Sequence, residues 1–135
     1  MIKKILLPVL VISLFSACGD EKAHEKALLD SVITAHDKVM GEDGITIKVR
    51  AKLNALAVRK PELKDSANFY IKQLDDNDNK MMDWMNKFNP DMSGKSHEQI
   101  MTYLSVQKKE VLSVDSQIKL GEQQAVNFYV RNNKK

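Results

Sequence analysis

The sequence has few of the residues that interrupt or cross-link a chain. Its 135 residues include one cysteine, three prolines and five glycines, and aromatic residues make up 6%. A single cysteine excludes an intramolecular disulfide and any zinc or redox site that needs two thiols. With so few helix-breaking residues, the chain favours long helices.

An excess of one charge and the common catalytic motifs are also missing. There are 21 Lys and Arg against 18 Asp and Glu, a formal net charge of +3. Nucleic-acid binding requires a concentrated basic face, so this mixed balance argues against a nucleic-acid partner. The sequence has no HExxH motif, no phosphate-binding Gly-rich loop and no G-x-S-x-G elbow, and its histidines are scattered. We therefore expect no enzymatic activity.

The one long apolar run lies at the N-terminus and is too short to cross a bilayer. It covers residues 5–15, whereas a membrane-spanning helix needs about 20 residues. Lys3 and Lys4 precede it, and Phe15-Ser16-Ala17-Cys18 at its end resembles a bacterial lipobox. We predict that residues 1–17 are a cleaved lipoprotein signal peptide and that Cys18 carries the lipid. The alternative is an ordinary secretory signal that is cut nearby.

Lipidation of Cys18 predicts where the protein resides. Two or three acyl chains such as palmitate on this cysteine anchor the chain to a membrane. Gly19 rather than Asp follows the cysteine, which favours sorting to the outer membrane, and Asp20-Glu21 resembles an acidic surface-export signal. Whether the protein faces the periplasm or the cell surface is left undecided by these signals. Residues 18–22 are then a tether, and residues 23–132 form a single domain.

The spacing of apolar residues predicts an all-α domain. Apolar residues recur at intervals of three and four residues over 21–60, 61–88 and 96–128. Pro61 suits the first position of the second helix, and Ser96 with Gln99 forms a capping box for the third. We predict an up-down-up bundle of three long antiparallel helices, with the first helix kinked or interrupted near Gly41 and Gly44.

Methionine is the unusual residue type. Five of the seven methionines lie between positions 81 and 101. If the first two helices turn near Pro61, residues whose numbers add up to about 122 lie at one level. One end of the bundle then gathers six residues: His36, Met40, Met81, Met82, Met85 and Met101.

Two interpretations of this cluster remain open. Thioethers with an imidazole suit Cu(I), which gives His36, Met40, Met81 and Met85 as candidate metal ligands. Alternatively, the methionines fill an irregular core end beside Trp84, with His36 hydrogen-bonded above them. In either case the inner seam of the second helix takes Trp84 or Met85, and Met82 and Trp84 do not both fit on it with Met81 and Met85. An exposed patch at Met82 and Trp84 would suit a partner protein.

The segments 35–40 (AHDKVM) and 81–88 (MMDWMNKF), followed by Tyr103-Leu104, carry a family resemblance. They resemble a group of small helical lipoproteins from Bacteroidetes, often labelled "viral A-type inclusion protein". The resemblance implies a lipid-anchored, coiled-coil-like helical protein and no particular activity. Gly41-Glu42-Asp43 stands where those relatives have Pro-Lys-Met, so one potential sulfur ligand is absent.

Three functions from different classes follow from these observations. The first is an envelope lipoprotein that acts as a scaffold or binds another protein. The second is a lipoprotein that binds or buffers Cu(I) through the methionine and histidine cluster. The third is an inhibitor of a hydrolase or an immunity-like protein, which the sequence neither supports nor excludes.

Overall fold

Three long helices make up almost all of residues 17–134, the part of the chain that this computed structural model describes. They are α1 (Ala17–Arg59), α2 (Lys64–Lys87) and α3 (His97–Asn132), with a short 3-10 turn at Pro61–Leu63. No strand occurs within these described residues. The predicted all-α class is confirmed, and each pair of helices packs together as in a helical bundle.

Helix α1 is longer and more regular than expected. It continues without a break through Gly41 and Gly44, so the expected interruption there is wrong. The buried side chains of Val39 and Thr46 flank the glycines and pack the helix on both sides of them. This packing outweighs the loss of helix propensity, about 1 kcal/mol for each glycine. A bend at this point stays a prediction.

The N-terminal part of the chain bears on the predicted processing. Residues 18–22, the predicted tether, belong to α1. The predicted signal peptide, residues 1–17, lies outside the described residues except for Ala17. The lipidation of Cys18 therefore stays a prediction.

The connections follow the local signals in the sequence. Pro61 is the first residue of the 3-10 turn before α2. At the start of α3, the Gln99 amide donates to Ser96 Oγ at 3.3 Å and the Ser96 amide donates to Gln99 Oε1 at 2.9 Å. The predicted capping box is thus confirmed. Between α2 and α3, the Asn89 amide donates to the Tyr103 hydroxyl at 2.8 Å, which fixes the start of the loop.

The core consists of two apolar clusters. One has Leu53, Leu56 and Leu74 at its centre, all at most 1% exposed. The other lies nearer the N-terminal part of α1 and is built on Val32, Val39, Met81, Trp84 and Val111. Both clusters draw on α1 and α2, and α3 covers them with Val111, Ala125 and Phe128. Burial of these side chains is the main force that holds the helices together.

A polar layer lies between the two apolar clusters. It takes one buried residue from each helix: Thr46 (1% exposed), Asn77 (5%) and Glu122 (8%). Thr46 Oγ1 donates to Glu122 Oε1 at 2.5 Å. Asn77 Nδ2 donates to the carbonyl oxygen of Gln117 at 3.0 Å. Because a shifted helix would leave these buried groups without partners, the layer favours one alignment of the three helices.

Candidate functional site

A half-open pocket beside the polar layer brings four methionines together. Its volume is about 160 Å³, and Met40 from α1 and Met81, Met82 and Met85 from α2 line it. The remaining lining residues are Val39, Glu42, Thr46, Asp78, Ile118 and Glu122. The prediction that Met40 lies level with residue 82 is consistent with this arrangement. We call this site the methionine pocket.

The four methionines differ in their exposure. Met81 is 3% exposed and belongs to the core, so it forms the floor of the pocket. Met40, Met82 and Met85 are 44%, 56% and 39% exposed and surround the mouth. Unbranched thioether side chains adapt to irregular partners, and large apolar groups at a surface often mark contact sites. The pocket therefore has a fixed floor and an adaptable rim.

Carboxylates form the polar side of the pocket. Glu122 is held by its hydrogen bond from Thr46, and Asp78 is paired with Arg50. Arg50 also contacts Asp75, with 2.7 Å between Nε and Oδ1. Burial opposes the charge of Arg50, but its hydrogen bonds and its attraction to both aspartates outweigh burial and raise the pKa of the guanidinium. The polar side is therefore held by ion pairs and hydrogen bonds.

Glu42 completes the rim. Its Oε2 lies 3.5 Å from Nζ of Lys119, which also contacts Asp115 at 2.8 Å. Contact with these two carboxylates raises the pKa of Lys119, with the hydrogen bond to Asp115 as the main cause. The lysine is half-exposed, and exposed ion pairs contribute little to stability. The Glu42–Lys119 pair is therefore a polar, solvent-accessible part of the rim.

His36 lies apart from the methionine pocket. Its ring stacks on Trp84 with 5.8 Å between centroids, and Nδ1 is 3.0 Å from Asp37 Oδ1. Its Nε2 atom is buried without a hydrogen-bond partner among the described residues, and the imidazole does not line the pocket. Three of the four candidate metal ligands, Met40, Met81 and Met85, therefore line the same pocket, and His36 does not. Met101 also lies outside the pocket lining.

Trp84 occupies a core position. It is 6% exposed and stacks on Phe88 at 5.1 Å between centroids. The expectation that Trp84 is exposed beside Met82 is therefore wrong. The inner seam of α2 steps from Met81 to Trp84 to Phe88, which leaves Met82 and Met85 outside. Of the two candidate partner-binding residues, only Met82 is accessible.

The sequence reasoning missed Thr46 and Glu122. The apolar spacing that predicted the helices gave no sign that these two polar residues are buried. Within residues 17–134, no group of three or more His, Cys, Asp or Glu side chains is arranged to hold a metal ion. A soft metal in the methionine pocket would therefore depend on thioether sulfurs.

Two further observations concern membrane-spanning helices and similarity to known proteins. None of the helices in the described part of the chain combines the length and the apolar character needed to span a membrane. Comparison with protein-family models, curated proteins and solved structures found no match to this chain.

Proposed function

We propose that the protein is a non-enzymatic lipoprotein of the bacterial envelope, lipid-anchored through Cys18 and related to the small helical lipoproteins of Bacteroidetes that its sequence resembles. Its methionine pocket binds an apolar side chain of a partner protein. The observation that carries this proposal is the grouping of Met40, Met81, Met82 and Met85 around one half-open pocket.

The dimensions and chemistry of the pocket support a side chain as its occupant. A volume of about 160 Å³ is close to that of an engineered apolar cavity that accepts benzene, about 150 Å³. Burial of one leucine or phenylalanine side chain contributes about 1.5–3 kcal/mol. Glu42 and Asp78 at the rim favour a basic residue next to that side chain on the partner.

The proposal includes an up-down-up arrangement of the helices. Contacts between α1 and α3 and between α2 and α3 support it: Glu25 with His97, Thr46 with Glu122, Gln73 with Gln124, and Lys80 with Gln117. Between the first two pairs, the residue numbers on α1 and α3 both increase. Between the last two pairs, the residue number on α2 increases while that on α3 decreases. The first and third helices are then parallel, and the second is antiparallel to both.

A photo-crosslinking amino acid at position 82 tests the pocket as a contact site. In growing cells, we expect it to give a discrete adduct of the full-length protein. The same amino acid at Asn68, an exposed position on α2 away from the pocket, is the matched control and should not give this adduct. A Met85→Lys substitution places a charge at the pocket mouth and should reduce the adduct at position 82 at least tenfold. The same adduct from both positions, or no effect of Met85→Lys, contradicts the proposal.

Cu(I) binding is the second candidate function, because one pocket brings four thioethers together. Competition of the purified protein against a Cu(I) chelator tests it. A Met40→Leu, Met85→Leu double variant should bind Cu(I) at least tenfold more weakly than wild type. His36→Gln and Met101→Leu, both outside the pocket lining, should match wild type. Wild-type affinity no tighter than that of the double variant would exclude a metal site in this pocket.

A further inference from the structure

Helix α1 has a second heptad seam that faces away from the core. The residues of this outer seam alternate in steps of four and three: Ile33, Asp37, Met40, Gly44, Ile47, Ala51, Asn54 and Val58. All eight are exposed. This alternation is the spacing by which one helix packs along another in a coiled coil. The inner seam of the same helix, which includes Val39, Val49 and Leu53, already packs against α2 and α3.

The apolar members of the outer seam are large and accessible. Ile47 is 56% exposed and Val58 is 81% exposed, and Ile33 and Met40 are 39% and 44% exposed. From residue 33 to residue 58 a helix rises about 38 Å. A row of large exposed apolar residues over this length of one helix, interrupted here by Asp37 and Asn54, is a surface that another helix can cover.

Gly44 is not required by the packing of a single chain. A Cβ atom built at this position meets nothing within 4 Å. Glycine in the middle of a helix costs about 1 kcal/mol relative to alanine, and no contact within the described chain explains that cost. A glycine on the outer seam does allow close approach of a backbone or side chain from outside.

The outer seam is complementary to itself in size when two copies run antiparallel. Residues whose numbers add up to 91 then face each other. Large residues meet small ones in the middle of the seam, and two large residues, Ile33 and Val58, meet at each end. Ile47 faces Gly44 of the second copy, and Met40 faces Ala51. The two polar members, Asp37 and Asn54, also face each other, and the Asn54 amide can donate to the carboxylate.

The charge distribution along α1 favours the same antiparallel direction. Residues 32–44, which face residues 47–59 of the second copy, have three acidic residues and one lysine, a formal charge of −2. Residues 47–59 have four basic residues and no acidic one, a formal charge of +4, although Arg50 among them also pairs with Asp75 and Asp78 of its own chain. An antiparallel pair sets the acidic part of one copy against the basic part of the other, whereas a parallel pair sets like charges together.

We propose that α1 pairs with α1 of a second copy of this chain, as a two-fold symmetric, antiparallel homodimer held by the outer seam. In such a dimer the same surface of both copies forms the interface, so that surface must be complementary to itself. The two N-terminal ends then lie at opposite ends of the pair, so both can enter one membrane only when the paired helices lie along its surface. Met40 lies both on this seam and at the mouth of the methionine pocket, so the second copy borders the pocket, but the pairing does not require an occupant in it.

Sedimentation equilibrium of the purified full-length protein tests the dimer. We expect wild type to have twice the mass of one chain. Ile47→Lys should raise the dissociation constant at least about 100-fold, because it places a charge in the seam. Ile45→Lys is the matched control, since Ile45 is 48% exposed but lies off the seam, and it should remain dimeric. Gly44→Leu should keep its helical circular dichroism, given the open space around Gly44, and yet be monomeric.

The distance between spin labels tests whether the two α1 helices pair in the antiparallel or the parallel direction. Spin labels at Ala55, exposed and just beside the seam, should be roughly 30 Å apart in an antiparallel dimer, from the helical rise. In a parallel pair they would be roughly 10 Å apart, the usual distance between helix axes. A monomeric wild type at about 100 μM, equal dissociation of Ile45→Lys and Ile47→Lys, or the short label distance would overturn the proposal.

Discussion

A Cys18→Ser variant is expected to move almost completely from the membrane fraction to the soluble fraction. Each buried methylene of an acyl chain contributes about 0.8 kcal/mol to membrane binding, and two or three chains together give a stable anchor. Serine offers no thiol for the thioether link to the lipid. Fractionation of cells, with metabolic labelling by an alkyne-tagged palmitate, measures both the location and the acylation of the protein.

The neighbouring substitution Gly19→Ser is the matched control for this prediction. It leaves the cysteine and its acylation in place, so the protein should stay in the membrane fraction and incorporate the label. If Cys18→Ser remains membrane-bound and labelled, the anchor is not at Cys18. Release without any label in wild type would instead indicate an ordinary secretory signal.

A Gly121→Ala variant is expected to be less stable than wild type by about 2 kcal/mol. A Cβ atom at Gly121 would lie 2.7 Å from Nδ2 of Asn77, well inside van der Waals contact. The same Nδ2 atom donates to the Gln117 carbonyl, so the Asn77 side chain cannot move away without breaking a buried hydrogen bond. Overpacking costs about 1–3 kcal/mol and an unsatisfied buried polar group a similar amount. The gain in helix propensity offsets about 1 kcal/mol. Urea denaturation followed by circular dichroism gives the free energy of unfolding.

Gly41→Ala supplies a control of opposite sign. A Cβ atom at Gly41 meets nothing within 4 Å, so alanine there should raise the free energy of unfolding by about 1 kcal/mol. A Gly121→Ala, Asn77→Ala double variant has no such overlap. Its loss of unfolding free energy should therefore be smaller than the sum of the losses in the two single variants. A Gly121→Ala protein as stable as wild type would show that Asn77 does not pack against Gly121.

The elements that the sequence predicts correctly are those set by local signals. The three helices follow from apolar residues at spacings of three and four over long stretches with few helix breakers. The start of α3 follows from Ser96 and Gln99, whose hydrogen bonds involve only residues three positions apart. The expected break at Gly41 and Gly44 was wrong because glycine propensity is a small local effect, and packing of the flanking residues against two other helices exceeds it.

The site could be predicted only in part, because it depends on the rotation of each helix about its axis. Matching residue levels across the turn at Pro61 brought Met40 to Met81 and Met82. It could not decide whether Trp84 or Met85 faces the core, since both lie close to the seam. The polar layer was missed for the same reason. A buried carboxylate such as Glu122 is stable only with a donor, and its donor, Thr46, is 76 residues away in the chain.

The proposed function depends most on the methionine pocket, in which thioethers from two helices share one site. Nuclear Overhauser measurements on the protein with 13C-labelled methionine ε-methyl groups test this directly. The ε-methyl group of Met40 should show contacts to that of Met81 or Met85, and none to that of Met101. A Met40 methyl group with contacts to Met101, or with none to either methionine of α2, would contradict the pocket and the function built on it.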